Sequence, residues 1–228
     1  MKFLVDSNNA DLHIHTTYSD GSYDPIEIVS MAIKQKLDCI AITDHNDDKA
    51  IETISKKILK RYGLKIIRAC EISTIYKNKR VHLLAYGYNP LFSKLVVSKL
   101  AFNRDFGKII SLKKACQLIH LFGGKAVIAH PFKYMFDTKE LIKDLVEDGD
   151  IDGIECIHSY HTQEEIDYLL EICEQYNLYV TAGSDFHSKE RKVRDSANQN
   201  KLAELIASKS TIEEQLIRAK EKYNIKKR

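Results

Sequence analysis

The chain has 228 residues, 44% of them hydrophobic and 29% charged, with 35 Lys and Arg against 32 Asp and Glu and a net charge of +3. That balance excludes a disordered or fibrous chain. It is also too small to drive nucleic-acid binding by bulk electrostatics.

The start, "MKFLVDSNNA", has no long apolar core and no small-residue cleavage site, and no run approaches 18 apolar residues. The sequence therefore predicts neither a secretory signal nor a membrane partner. The five cysteines are scattered, odd in number and never in a C-x-x-C, and most lie in apolar runs such as "LDCIAI". They read as small buried hydrophobes of a reduced, cytoplasmic protein.

In chain order, a short apolar strand at 10–14 leads into a loop, and Asp24-Pro25 then cap a helix with Ile26, Val29, Ile33 and Leu37 at helical spacing. "CIAIT" (39–43) is a strand, and Ile51, Ile54 and Ile58 mark a helix over 47–61. "LKIIRACEIS" (64–73) and "VHLLAYG" (81–87) are strands, and 88–103 carries the least pattern. A helix over 104–122 stops at Gly123-Gly124. "KAVIAH" is a strand, 138–147 a helix and "IDGIECI" a strand. Thr162 and Glu165 form a capping box, "LYVTAGS" is a strand, and Ser210 with Glu213 caps a last helix in an extension over about 201–228. The positive surplus in "RAKEKYNIKKR" reads as a solvated helix end.

About seven strands, mostly alternating with helices, predict an α/β fold of parallel βα units: one domain over 1–228, built as a (β/α) barrel or a distorted version of one. Several strands are apolar throughout, as strands buried on both faces should be.

The chemistry collects where these strands end. The first gives His13, His15 and then Asp20; the second Asp44 and His45; the third Glu71. The following strands give His82, His130, Glu155 with His158, and finally Asp185 with His187. The C-terminal ends of parallel strands are the face on which α/β barrels build active sites. Alternation along an extended chain points His13 and His15 the same way, and Asp185 and His187 likewise, so each pair can close on one ion. Imidazole with carboxylate suits zinc, manganese or iron, and nine candidate ligands exceed one coordination sphere, which indicates two or three divalent ions.

Each residue alone has an ordinary reading. A strand-end histidine can simply be hydrogen-bonded, Glu71 can pair with a Lys or Arg, and Asp44 can orient a ligand histidine. Glu155 reads as structural, Asp11 as structural or supporting, and His120 as a surface or satisfied histidine. His158 and His161 are open between substrate contact and loop. Independent core histidines would not all fall at one end of successive strands, and that joint placement favours a metal site.

The pieces "DLHIHTTYSDGS", "ITDHN", "CEIS", "VHLLAYG", "AHP" and "GSDFHS", in order over residues 11–188, resemble the polymerase and histidinol phosphatase (PHP) family. The resemblance implies a distorted seven-stranded (β/α) barrel and a trinuclear metal centre. His13, His15, Glu71 and Asp185 would hold one metal, Asp20, His45 and His187 a second, and a bridging Glu71 with His82 and His130 the third. Only 47 residues separate His82 from His130, where some relatives carry a sizeable inserted domain.

The implied activity is hydrolysis of a small phosphate monoester or nucleotide by a metal-bridging hydroxide. His158 or His187 would serve as acid, and Arg104, Arg191, Lys133 and Lys189 are candidates for gripping the phosphate. Two alternatives remain: an exonuclease or oligonucleotide phosphodiesterase with the same metals, and a non-catalytic metal-stabilised module.

Overall fold

A computed structural model of the chain describes residues 1–7, 9–100, 109–133, 138–148 and 150–188. The predicted helix beyond Ser210, and Arg104, Lys189 and Arg191, lie outside the described residues.

Among the described residues, nine strands form one curled sheet. They are β1 (Lys2–Phe3), β2 (Ala10–Ile14), β3 (Cys39–Ile42), β4 (Lys65–Tyr76), β5 (Lys79–Tyr86), β6 (Ile110–Ser111), β7 (Lys125–Ile128), β8 (Gly153–His158) and β9 (Tyr179–Gly183). The order is β1-β9-β8-β7-β5-β4-β3-β2, with β6 on β4. The curl brings β2 back to the segment after β9: Ile14 pairs in parallel with Phe186, and His15 donates its backbone N–H to the Phe186 carbonyl at 2.9 Å. The seven longer strands are the seven expected from the sequence. β1 and β6 are two-residue additions.

One expectation is corrected. β5 runs antiparallel to both β4 and β7, so the sheet is mixed rather than built of parallel units throughout. The cause is a two-residue hairpin at Lys77-Asn78, both with positive φ (46° and 62°). That conformation matches the twist of paired strands and leaves no room for a crossover helix.

The helices are α1 (Pro25–Lys34), α2 (Lys56–Tyr62), α3 (Leu112–Leu121), α4 (Thr138–Asp148) and α5 (Gln163–Gln175). α1 begins at the predicted cap: the Asp24 carboxylate accepts from Ile26 and Glu27 N–H, and Glu27 returns a bond to Asp24 N–H. Its buried face is Pro25, Ile28, Val29 and Ala32, whereas Ile26 is exposed. The helix expected over 47–61 divides at Ile54, into a 3₁₀ turn over Lys49–Thr53 and α2. Between α2 and α3 a short helical turn over Pro90–Phe92 passes into a π-helical turn over Ser93–Val97. α3 itself starts at Leu112, where the Ser111 hydroxyl accepts from Lys114 N–H. α5 carries the Thr162/Glu165 capping box.

The sheet and helices enclose apolar clusters that include the wholly buried Ile72, Leu83, Ile119, Ile154 and Leu169. A second cluster packs α1 on Ile40 and Ile42. Buried histidines and carboxylates, among them His13, His15, Glu71, His130 and Asp185, gather instead at the rim where the parallel strands end.

Candidate metal centre

All nine sequence-predicted ligand residues arrive at this rim. β2 supplies His13 and His15, whose Nε2 atoms stand 3.1 Å apart, as the alternation of an extended strand requires. The loop that follows bends back through Gly21, where a Cβ would come within 2.5 Å of the His15 carbonyl, and this turn carries Asp20 to the mouth. His45 follows β3, and Asn46, at φ 50°, donates its backbone N–H to the Glu71 carbonyl at 2.8 Å.

Glu71 stands in the middle, buried at 1% exposure. Its Oε1 meets His82 Nδ1 at 2.8 Å and His130 Nε2 at 3.1 Å. Its Oε2 meets His45 at 3.1 Å, His15 at 3.2 Å and His13 at 3.5 Å. Because β5 is reversed, His82 reaches the common rim from near the start of its strand, not the end. Each oxygen of this one carboxylate therefore faces a separate set of imidazoles.

The last segment brings Asp185 and His187. Asp185 Oδ1 lies 3.4 Å from His13 Nε2 and 3.3 Å from His15 Nε2. His187 Nε2 lies 3.2 Å from Asp20 Oδ1, with His45 Nε2 3.7 Å from Asp20 Oδ2. Ligand atoms within 4.8 Å of one another form four sets: His15, Asp20, His45 and His187; His13, His15 and Asp185; His13, Glu71 and His130; and His45, Glu71 and His82. The first is the expected Asp20, His45 and His187 with His15 added, and the second holds His13, His15 and Asp185 without the Glu71 expected beside them. Glu71, His82 and His130 are split between the other two.

Supporting contacts fix the rings. Glu155, wholly buried, accepts from His13 Nδ1 at 3.0 Å and from the His130 backbone N–H at 2.8 Å. The structural role expected of it is thus that of a ring anchor. Asp11 accepts from the backbone N–H groups of His13 and Ser184 and from the Ser184 hydroxyl, tying β2 to β9. Asp44 takes Thr16 N–H and the Thr16 and Ser19 hydroxyls, at 2.6–2.7 Å, so it holds the loop carrying Asp20 and touches no histidine directly. His120 pairs with Asp152 at 2.6 Å, away from the centre.

Charge explains the proton affinities. Burial alone would lower His13 and His15, but the carboxylates around them outweigh it, Glu155, Glu71 and Asp185 for the first and Asp185 with Glu71 for the second. His13 is raised well above the usual range and His15 to about 9. Burial would raise Glu71 and Asp185, yet the surrounding imidazoles hold both well below the carboxylate range. Burial dominates at His45 and His130, each lowered to about 4.

The donor set fits divalent ions. His13 spends its Nδ1–H on Glu155, so Nε2 is the atom turned toward His15 Nε2, and buried Glu71, Glu155 and Asp185 concentrate negative charge around them. A divalent ion can replace the protons that this charge holds on the two rings and neutralise the buried carboxylates.

Two histidines sort by tautomer. His187 Nδ1 donates to the Asp185 carbonyl at 2.8 Å, leaving Nε2 directed at Asp20. His158 Nδ1 accepts the Tyr160 backbone N–H at 3.2 Å, so its hydrogen sits on Nε2, which is buried without a hydrogen-bond partner 3.8 Å from Asp185. Lys133 Nζ pairs with Asp185 Oδ2. His161 donates Nδ1–H to the Cys156 carbonyl at 2.9 Å. The sequence had not singled out Tyr160; its place beside the H-x-x-H of residues 158–161 was the available signal.

Fold and site together define a hydrolytic enzyme of the phosphoesterase class. The chain belongs to the PHP domain family, whose model matches residues 11–223. It is 24% identical to the 5'-3' exoribonuclease Rnm of Salmonella typhimurium, over 81% of this chain and 88% of that one. It is 23% identical to the 3',5'-nucleoside bisphosphate phosphatase of Chromobacterium violaceum, over 85% and 92%. Among solved structures, one described as an amidohydrolase from Chromobacterium violaceum superposes with a TM-score of 0.69 at 21% identity, over 88% of this chain and 96% of that one. No helix among the described residues is long and apolar enough to cross a membrane.

Proposed function

We propose that the chain hydrolyses a small phosphate monoester or nucleotide at a three-ion centre. His13, His15, Glu71 and Asp185 would hold one ion, Asp20, His45 and His187 a second, and Glu71, His82 and His130 a third, with zinc, manganese or iron as the suited metals. The observation that carries this reading is Glu71, whose two oxygens face two sets of imidazole nitrogens at 2.8–3.5 Å. Bound there, divalent ions supply the Lewis acidity that activates water and neutralises charge on phosphate oxygens.

The chain's own groups do the remainder. Glu155 keeps the His13 Nε2 lone pair directed inward. His158 carries an Nε2–H beside Asp185, where it would donate to a phosphate oxygen. Lys133, held by Asp185, places a positive charge at the same edge.

A second reading, hydrolysis of oligonucleotides from one end, draws support from the relatives named as 5'-3' exoribonucleases. Turnover of mononucleotides, nucleoside bisphosphates, histidinol phosphate and short RNA and DNA, with Mn, Zn or Fe supplied, separates the two. The centre itself is tested by elemental analysis of the wild type and of His13→Ala/His15→Ala. The double variant is expected to lose metal and activity together. Equal metal content would refute the ligand set, and a filled site that turns over nothing would favour a non-catalytic module.

A further inference from the structure

The mouth of the centre carries an exposed aromatic ring that the hydrolytic reading does not use. Tyr160 follows β8 by two residues and is 53% exposed, although its neighbours His158 and His161 are buried. Its ring lies nearly parallel to His158, with centroids 5.5 Å apart and 21° between planes. Lys133 Nζ stands 5.4 Å from the ring centroid. Both of these partners also approach Asp185 Oδ2, so they meet the ring from the side of the centre.

We propose that Tyr160 is a stacking platform for the base of a nucleotide whose phosphate lies at the centre. This rests on the hydrolytic reading above and narrows its substrate to base-bearing phosphates. Three features support it. The backbone N–H of Tyr160 fixes the His158 tautomer, so platform and phosphate donor are built from one turn. The ring is backed by a buried imidazole, which holds its plane. A lysine beside both ring and centre favours a ligand that is anionic at one end and aromatic at the other. A flat aromatic surface accepts any base, because every base has a π-face.

The chain contains no tryptophan, so Tyr160→Trp introduces a single indole reporter. Titration of the zinc-loaded variant with AMP, with a short oligoribonucleotide and with ribose 5-phosphate reads the platform without needing turnover. AMP or the oligonucleotide should quench the indole, and ribose 5-phosphate should not. Quenching by the oligonucleotide alone would identify a polymer end as the source of the base. Equal response to ribose 5-phosphate, or no response to either base-bearing ligand, overturns the proposal. In kinetics, Tyr160→Ala should lower the ratio of kcat/KM for AMP to that for ribose 5-phosphate by about tenfold, and Tyr160→Phe should restore it. An unchanged ratio also overturns it. Absence of turnover with intact base-specific quenching would instead count against the hydrolytic reading and leave the platform standing.

Discussion

Glu155→Gln tests how the centre is held together. The two Glu155 oxygens accept from two donors, His13 Nδ1–H and His130 N–H, inside a wholly buried site. A glutamine has the same shape but only one acceptor oxygen. Its NH2 must then face one of those donors, leaving a buried group unsatisfied at about 1–3 kcal/mol. Alternatively His13 takes the other tautomer, accepts at Nδ1 and carries hydrogen on Nε2, the atom aimed at the centre. Either route weakens metal binding, and loss of such a supporting partner costs about 10–100-fold in affinity, or about 1.4–2.8 kcal/mol. Competition against a chelator of known affinity measures this directly. The carboxylate is held to about 2, burial raising it and His13 and His158 more than reversing that, so the wild type is ionised throughout the assay range. Metal affinity equal to wild type in a folded Glu155→Gln would refute the anchoring role.

Gly183→Ala should destabilise the fold, since its Cβ would stand 2.3 Å from His13 Cβ and 2.5 Å from Glu155 Oε1; a cost of about 1–3 kcal/mol or more would appear in urea denaturation, and wild-type stability would contradict the packing. Chelation should lower the melting temperature and added metal should restore it, because an ion bound to the folded state alone stabilises by mass action. Asp152 gives a pH test away from the centre. Burial raises its pKa, but Lys125, Ala126 N–H and His120 outweigh that and hold it below the ordinary carboxylate value. A depressed folded pKa contributes stability above the unfolded value that is lost as pH falls through the folded one. The stability gap between wild type and Asp152→Asn should therefore be widest above about pH 4 and shrink in acid; a gap independent of pH would show that the ion pairs are inert.

The seven strands and the converging histidines and carboxylates were legible because their signals are local. Apolar runs end in histidine or carboxylate, and H-x-H obliges two rings to share a face. The reversal of β5 was hidden, since "VHLLAYG" reads the same in either direction. The clue was Lys77-Asn78, two residues between two strand runs, which suits a hairpin better than a crossover. The break at Ile54 was masked by isoleucines whose spacing satisfies one continuous helix. Long-range partners left no local trace: buried Asp48 gathers Arg68, Tyr88 and Ser93, which lie 20 to 45 residues away.

The backbone shows how the rim is held against its own strain. His130 and Asp185, both candidate ligands, adopt positive φ (26° and 54°), a conformation that costs a non-glycine residue about 1–3 kcal/mol. Each is fixed by a bond from the opposite side of the centre or from its own turn: Glu155 takes His130 N–H, and His187 donates to the Asp185 carbonyl. Glu155 thus restrains a ligand ring on β2 and a strained ligand backbone after β7 at once. Its loss should loosen two of the three proposed ion positions together, which makes it a positioning residue rather than a local prop.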